Sequence, residues 1–272
     1  MTQPPVVLTI AGSDSGGGSG LQADLRTFAA QSVHGVCALT VVSSQNTKEF
    51  RSALPVPALD VRSQIEAILD DFEVKAVKTG LLYSQENIEL ISEMADADLF
   101  PSLIIDPVIV NRHGELLYES QTIELMRRQL IPKALVLTPN HLEAMHLLGD
   151  EIKEDIEALS TAALRLTAMG PSVVVLTGGR RDSPSMVDVV ACNGKVSVLE
   201  VGRCSTSNVR GTGDTFSAAI AAGIAKGTTA LESIKEAQAF TAAAVRRAAS
   251  WKLGSGEGPI DHLGPLNAVG LD

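Results

Sequence analysis

The stretch Val6-Val7-Leu8-Thr9-Ile10-Ala11-Gly12-Ser13-Asp14-Ser15-Gly16-Gly17-Gly18-Ser19-Gly20-Leu21-Gln22-Ala23-Asp24-Leu25 reads as a strand, a glycine loop and the start of a helix. Val6–Ala11 is a short apolar run rich in β-branched residues, and Leu21, Leu25 and Phe28 recur at helical spacing. The rhythm then repeats. Further strands are predicted over Val36–Val42, Val74–Lys78, Leu103–Asp106, Ala134–Thr138 and Val173–Thr177. Helical spacing fills the intervals at Ile65/Ile68/Leu69, Ile88/Ile91 and Leu159/Ala163/Leu166. This alternation predicts a mostly parallel sheet with helices on both faces. After Thr177 the texture changes. Met186–Ala191 and Lys195–Glu200, joined through Cys192-Asn193-Gly194, predict an antiparallel hairpin at the sheet edge. Two helices follow, over Thr215–Lys226 and Ala230–Ala249. No low-complexity linker or internal repeat interrupts the chain, so residues 1–272 are expected to form one domain.

Composition narrows the function. Twenty-two basic residues against 32 acidic ones give a formal charge of -10, which argues against a general nucleic-acid surface and against attraction to acidic membranes. Hydrophobic residues make up 45% and aromatic ones 3%, so the expected core is aliphatic. Val6–Ala11 is too short to span a membrane and lacks a basic leader. Cys37, Cys192 and Cys204 are scattered without C-x-x-C spacing and read as reduced cytosolic thiols. A cytoplasmic protein is expected.

In an open parallel sheet, ligands gather at the carboxyl ends of the strands. The predicted strands end repeatedly in glycine and polar residues: Gly12–Gly20, Ser43-Ser44-Gln45-Asn46, Thr79-Gly80, Asp106-Pro107, Pro139-Asn140 and Gly178-Gly179. Near the C-terminus, Arg210-Gly211-Thr212-Gly213-Asp214-Thr215-Phe216-Ser217 places two glycines around Thr212, immediately before a helix of small residues. Such a turn brings backbone close to a ligand, and the free N–H groups of the helix N-terminus attract an anion. Asp214 at its mouth is placed to accept a proton from an attacking hydroxyl, and the combination suits phosphoryl transfer. A turn with an acidic residue near a helix N-terminus is the plainer alternative.

Other segments carry weaker signals. The first glycine loop fits a P-loop at Gly12, Gly17 and Ser19, but Gly18 stands where the phosphate-binding lysine belongs. It also fits a dinucleotide fingerprint from Gly18, yet the second strand ends in Ser43-Ser44 with no acid for a ribose. What remains is a loop that admits a compact ligand beside Asp14, with Gly20 at its end. The Gln45 amide both donates and accepts, which matches a pyrimidine or pyridine edge as well as an ordinary turn. Asn140 and Glu143 fit a helix capping box; alternatively they hold Mg²⁺ through water. Glu143-Ala-Met-His146 matches E-x-x-H, but the α/β pattern offers no bundle for a di-iron centre. His34, His113 and His262 receive no role.

Taken in order, these segments resemble the hydroxymethylpyrimidine (phosphate) kinases, in the vitamin-kinase branch of the ribokinase-like superfamily. Leu8–Asp14, Gly16–Leu25, Gln45-Asn46-Thr47, Lys78-Thr-Gly-Leu81, Asp106-Pro-Val108, Thr138–Ala144 and Gly211–Gly213 carry the resemblance, which spans nearly the whole chain. It implies a three-layer α/β/α fold, often dimeric, that phosphorylates 4-amino-5-hydroxymethyl-2-methylpyrimidine with ATP and Mg²⁺ for thiamine synthesis. The monophosphate of that pyrimidine is a candidate second substrate. By this resemblance Gln45 reads the pyrimidine edge, and Ala11, Gly12, Leu81 and Val108 line the ring pocket with Asp14 and Gly20 beside it. Gly211 and Gly213 form the anion hole for catalysis by Asp214, while Asp106 and Glu143 serve the metal. Asn140, Thr177, Gly179, Arg210 and Thr212 lie toward the nucleotide.

Three positions depart from the family's usual residues. The family commonly carries cysteine where this chain has Asp214, histidine where it has Arg210 and lysine where it has Thr177. Aspartate after Gly-Thr-Gly is found in sugar kinases and many pyridoxal kinases. Pyridoxine/pyridoxal kinase of vitamin B6 salvage is therefore the alternative function.

Overall fold

The computed structural model of the protein describes residues 3–111, 113–179 and 183–264. From the N-terminus the chain forms β1 (Val6–Ala11), α1 (Gly20–Ala30), β2 (His34–Leu39), β3 (Val41–Gln45), β4 (Phe50–Pro55), α2 (Ala58–Leu69), β5 (Val74–Thr79) and α3 (Gln85–Asp96). It continues through β6 (Leu103–Ile105), α4 (Ser120–Leu125), β7 (Val136–Leu137), α5 (His141–Leu148), α6 (Ile156–Thr167) and β8 (Val173–Gly179). The last elements are β9 (Ser185–Cys192), β10 (Lys195–Gly202), α7 (Thr212–Ala225) and α8 (Ala230–Ala248).

Eight strands form the central sheet in the order β10-β9-β8-β7-β6-β5-β1-β2. From β2 to β8 every pairing is parallel, whereas β9 and β10 add antiparallel at the edge. The hairpin turn has positive φ at Asn193 (50°) and Gly194 (70°), the backbone of a two-residue hairpin matched to strand twist. Buried strand residues alternate between two aliphatic cores. Leu8, Ile10, Val77, Ile105 and Leu137 meet the apolar faces of α2, α3, α5 and α6. Val7, Ala76, Ile104, Val136 and Val175 meet α1, α7 and α8 on the other face. This is the three-layer α/β/α arrangement. Among the described residues no helix is long and apolar enough to cross a membrane.

One predicted strand is two. Val36–Val42 breaks at Thr40, so β2 stays in the central sheet while β3 pairs with β4 in a separate antiparallel sheet. Thr40 is fully buried; its N–H still donates to Ala11 on β1, and its hydroxyl donates to the Leu81 carbonyl at 2.6 Å. These bonds end the ladder and turn the chain upward. The apolar run Val41-Val42 continues across the bend without glycine or proline, which hides the boundary in the sequence. The partner strand β4 exposes Phe50 and Leu54 and has no core face to give it a periodicity signal. Ser43-Ser44-Gln45 thus belongs to this small raised sheet, above the carboxyl end of the main one.

Candidate active site

Two glycine loops, nearly two hundred residues apart in sequence, close against each other at the carboxyl edge of the sheet. Asp14 is buried in the first, where one carboxylate oxygen accepts from Gly16 N at 2.8 Å. The other accepts from Gly18 N (3.2 Å), Ser19 N (3.0 Å) and the Ser19 hydroxyl (2.7 Å). Nε of Arg210, from the second loop, reaches that oxygen at 2.9 Å. Burial alone would raise the Asp14 pKa, but the Ser19 hydroxyl, the Arg210 guanidinium and the Gly16 N–H outweigh it and hold the carboxyl below its ordinary value. The loops touch where side chains are impossible. Gly211 has φ 80°, and a methyl group there would run into the Gly18 carbonyl oxygen. Gly20 has φ 58°, and a methyl group there would run into the Gly12 carbonyl oxygen.

Between these loops and the raised β3–β4 sheet lies a cavity of about 870 Å³. Gly12, Asp14, Gly20, Gln45, Leu81, Val108, Arg210, Gly211, Thr212 and Asp214 all line it. The sequence-predicted acceptor residues and the predicted base therefore share one space. Ala11 does not line it, because β1 buries it completely beneath Gly12. Asn140, Thr177 and Gly179 fall outside the cavity, farther along the same edge at the ends of β7 and β8. There Asn140 and Thr177 pair as an isolated parallel bridge. Both carboxylate oxygens of Asp14 accept hydrogen bonds from its own loop, Oδ2 also meets Arg210, and the residue forms part of the cavity wall.

α7 begins at the Gly211 cap, with Asp214 in its first turn. Among the described residues nothing accepts a hydrogen bond from the N–H groups of Gly213 and Asp214, which leaves two donors at the positive end of the helix. Behind them Thr215 hydrogen-bonds His262 at 2.8 Å. Burial, with Arg26 nearby, lowers the His262 pKa to about 4, so the ring is a neutral prop for the helix start.

Below Asp214 is a buried charge cluster that the sequence reading left without a role. Lys78 of β5 is fully buried, with Nζ 2.8 and 2.9 Å from the two oxygens of Asp24 on α1. Asp24 also accepts from the Thr9 hydroxyl at 2.6 Å. Lys78 Nζ lies 3.6 Å from Oδ1 of Asp214. Burial opposes the ammonium, but Asp24, Asp214 and Asp106 outweigh it and push the Lys78 pKa above the ordinary lysine range. Burial pushes Asp24 up to about 6, against the attraction of Lys78. The signal was present. A lysine inside an apolar central strand is rarely buried without a partner, and an aspartate stood on the inward face of α1.

Asp106 follows β6, and Ser217 of α7 donates to its Oδ2 at 3.0 Å. Burial and repulsion from Asp214 raise its pKa to about 7, despite Lys78. Glu143 completes the capping box of α5: Asn140 accepts from Glu143 N, and Glu143 Oε2 accepts from Asn140 N at 2.9 Å. Its Oε1 accepts from Ile109 N at 3.0 Å, just after Val108 in a left-handed conformation (φ 41°). That backbone state costs a β-branched residue on the order of 1–3 kcal/mol, and the Ile109–Glu143 bond helps hold it at the cavity wall. Burial and the Asp106 charge raise Glu143 to about 8. These two buried carboxyls, both held above their ordinary pKa, are hard oxygen donors that a divalent cation would relieve. Among the described residues no group of three or more candidate metal ligands is found, so a Mg²⁺ ion held by these two carboxyls would have to keep most of its water.

Residues 14–261 match the family model described as phosphomethylpyrimidine kinase. The chain is 38% identical over 259 residues to a hydroxymethylpyrimidine/phosphomethylpyrimidine kinase of Streptomyces coelicolor, covering 95% of this chain and 94% of the relative. Among solved structures, an ADP complex of Bacillus subtilis pyridoxal kinase superimposes with a TM-score of 0.89 at 37% identity, covering 96% of this chain and 98% of that one. A phosphomethylpyrimidine kinase of Clostridium difficile gives 0.79 at 31% identity, covering 89% and 99%.

The raised carboxyls make stability depend on pH with a definite sign. Asp106 and Glu143 hold protons in the folded protein at pH values where the unfolded chain, with pKa values of about 4, has lost them. The folded state thus binds more protons from pH ~4 to ~8, and the pair's contribution falls as pH rises through that window. Mg²⁺ favours the ionised forms and should offset the loss. The gain in Tm from added Mg²⁺ should grow between about pH 5.5 and about pH 8.5 in the wild type and be blunted in Asp106→Asn, as read by thermal melts in chelator and in Mg²⁺. A gain independent of pH, or equal in the variant, contradicts this reading.

Proposed function

The chain belongs to the phosphomethylpyrimidine kinase family, and we propose that it uses ATP to phosphorylate the hydroxymethyl group of 4-amino-5-hydroxymethyl-2-methylpyrimidine. The monophosphate of that pyrimidine is the proposed second acceptor, and thiamine synthesis the proposed pathway. The observation that carries the reading is the shared cavity: the Gln45 amide and the Asp214 carboxylate line one space of about 870 Å³, walled by Leu81 and Val108. Its polar and apolar parts suit a small planar heterocycle bearing a hydroxymethyl arm. A cytoplasmic location, expected from the composition, and a homodimer, implied by the resemblance, belong to the same proposal.

The chemistry follows from placement. The Gln45 side chain pairs with the ring edge, donating to a ring nitrogen and accepting from the exocyclic amine. The substrate hydroxyl attacks the γ-phosphorus, the bond to the departing ADP oxygen breaks, and the hydroxyl proton passes to the Asp214 carboxylate. Negative charge on the transferring group faces the Gly213 and Asp214 N–H donors at the start of α7. Arg210 stands beside them, oriented by its bond to Asp14. Asn140, Thr177 and Gly179 extend the edge toward the nucleotide. Asp106 and Glu143 would hold Mg²⁺ through water, and the ion would supply neutralisation of phosphate charge.

Pyridoxal kinase activity is the second reading, favoured by the TM-score of 0.89 with the Bacillus subtilis enzyme and by Asp214 itself. ADP release measured in parallel with the hydroxymethylpyrimidine, its phosphate, pyridoxine, pyridoxal and ribose decides between them. The pyrimidine should give the highest kcat/KM; a higher value with a pyridine assigns the chain to vitamin B6 salvage.

Two variants test the roles. Gln45→Ala should weaken acceptor binding by about 1–3 kcal/mol, roughly 5- to 150-fold in KM, with little change in the KM for ATP. An unchanged acceptor KM in the folded variant removes Gln45 from the site. Asp214→Asn should keep the fold and ATP binding while lowering kcat roughly 10²–10⁴-fold. Asp214→Cys, which restores the residue common in the family, should retain more activity than Asp214→Asn. Near wild-type turnover in Asp214→Asn makes Asp214 a helix-terminus residue only.

A further inference from the structure

Lys78 is the one buried cation among the described residues that the proposed reaction leaves without a task. Its position is specific. β5 is a central strand, paired with β1 on one side and β6 on the other, and the Lys78 side chain projects into the layer that holds α1 and α7. A lysine ammonium has three protons to place. Asp24 takes two directions, at 2.8 and 2.9 Å, and the third faces Oδ1 of Asp214 at 3.6 Å. If only the fold were at stake, an apolar pair of similar volume would serve as well or better, because desolvating two charges is costly. Here the cation bridges a helix that carries no proposed chemistry to the helix that carries the base. Asp214 is partly exposed to the cavity, whereas Lys78 and Asp24 are sealed beneath it. Oδ1 of Asp214 is thereby the oxygen paired with the ammonium from below, while the residue itself lines the cavity above.

We propose that Lys78, anchored on Asp24, is a positioning residue for phosphoryl transfer: its charge pins one oxygen of Asp214 so that the other meets the acceptor hydroxyl. This rests on the reading of Asp214 as the base. Lys78 touches neither substrate, so its loss acts on turnover and spares binding. The cluster also contains the Asp106 carboxylate, at the end of β6 and within electrostatic reach of both Lys78 and Asp214. Removing Lys78 therefore leaves Asp214 repelled as well as unanchored.

The test is a cycle of three proteins against the wild type: Asp24→Asn/Lys78→Met, Asp214→Asn, and the triple combination. Replacing both members of the pair avoids stranding a buried Asp24 charge. Steady-state kinetics should show the pair variant losing roughly 10- to 100-fold in kcat with both KM values within about threefold, the signature of a misplaced group that does not bind substrate. In the Asp214→Asn background the same pair change should alter kcat less than about threefold, since no carboxylate remains to be positioned. Equal losses in both backgrounds, no loss in either, or failure of the pair variant to fold would make Lys78 a stability residue and overturn the proposal. Near wild-type kcat in Asp214→Asn alone marks a different failure, that of the base assignment beneath it.

Discussion

The edge of the sheet becomes a site because one carboxylate, that of Asp14, ties together segments that are remote in sequence. It gathers the N–H groups of Gly16, Gly18 and Ser19 and the Ser19 hydroxyl, then takes Nε of Arg210 from the far end of the chain. A loop so rich in glycine has much conformational entropy to lose, and a charge-assisted hub is an effective way to hold it. The held loop in turn sets the height of Gly211, whose backbone lies against the Gly18 carbonyl. Because the folded pKa of Asp14 is depressed, this contribution is present above the ordinary carboxyl range and is lost as the pH falls through the folded value. The turn that opens α7 is therefore a property of both loops.

Beneath that clasp the protein concentrates charge where a sheet normally keeps aliphatic side chains. Asp24, Lys78, Asp106, Asp214 and Glu143 come from α1, β5, the end of β6, α7 and α5 respectively. Each is supplied by an element ending or beginning at the same edge, which is why a parallel sheet can collect them without a long insertion. Their mutual influence divides the labour. Lys78 stays cationic among carboxylates, while burial and Asp214 raise Asp106 to about 7, and burial and Asp106 raise Glu143 to about 8. A cluster of this kind is costly without ligands, and nucleotide with its cation is the chemistry that would satisfy it.

The sequence made the architecture legible wherever a side-chain period was uninterrupted. The strand–loop–helix start, the parallel run and the Asn193-Gly194 hairpin all follow from local pattern, and β9 and β10 emerge within two residues of their predicted ends. The bend at Thr40 was hidden because the residues beyond it remain apolar, and its cause is a tertiary bond to Leu81. The placement of the glycine loops was legible because it coincides with backbone needs, as at Gly211 and Gly20. Asn140 and Glu143 show the limit of such reading: the capping box is real, and the same carboxylate is also buried beside Asp106. Lys78 stands in a segment that carries the resemblance, and a lysine inside an apolar strand calls for a buried partner, but the sequence does not say which acid supplies it. Only the assembled sheet shows that it points at Asp24 and Asp214.

Acceptor identity rests on a different scale from fold. The chain resembles solved pyridoxal kinases at least as closely in shape as it does a phosphomethylpyrimidine kinase, so shape does not choose the ring. In the proposed reaction Gln45 reads the ring edge and Asp214 receives the proton from the hydroxymethyl arm, so the bound acceptor itself must show which ring they take. The most direct test is a crystal structure of the protein with the hydroxymethylpyrimidine, Mg²⁺ and a non-hydrolysable ATP analogue. The account predicts the Gln45 amide hydrogen-bonded to the pyrimidine edge, the hydroxymethyl oxygen within hydrogen-bond distance of Asp214, and the terminal phosphate against the Gly213 and Asp214 N–H groups. A pyrimidine bound away from Gln45, or a hydroxymethyl group turned away from Asp214, would contradict it.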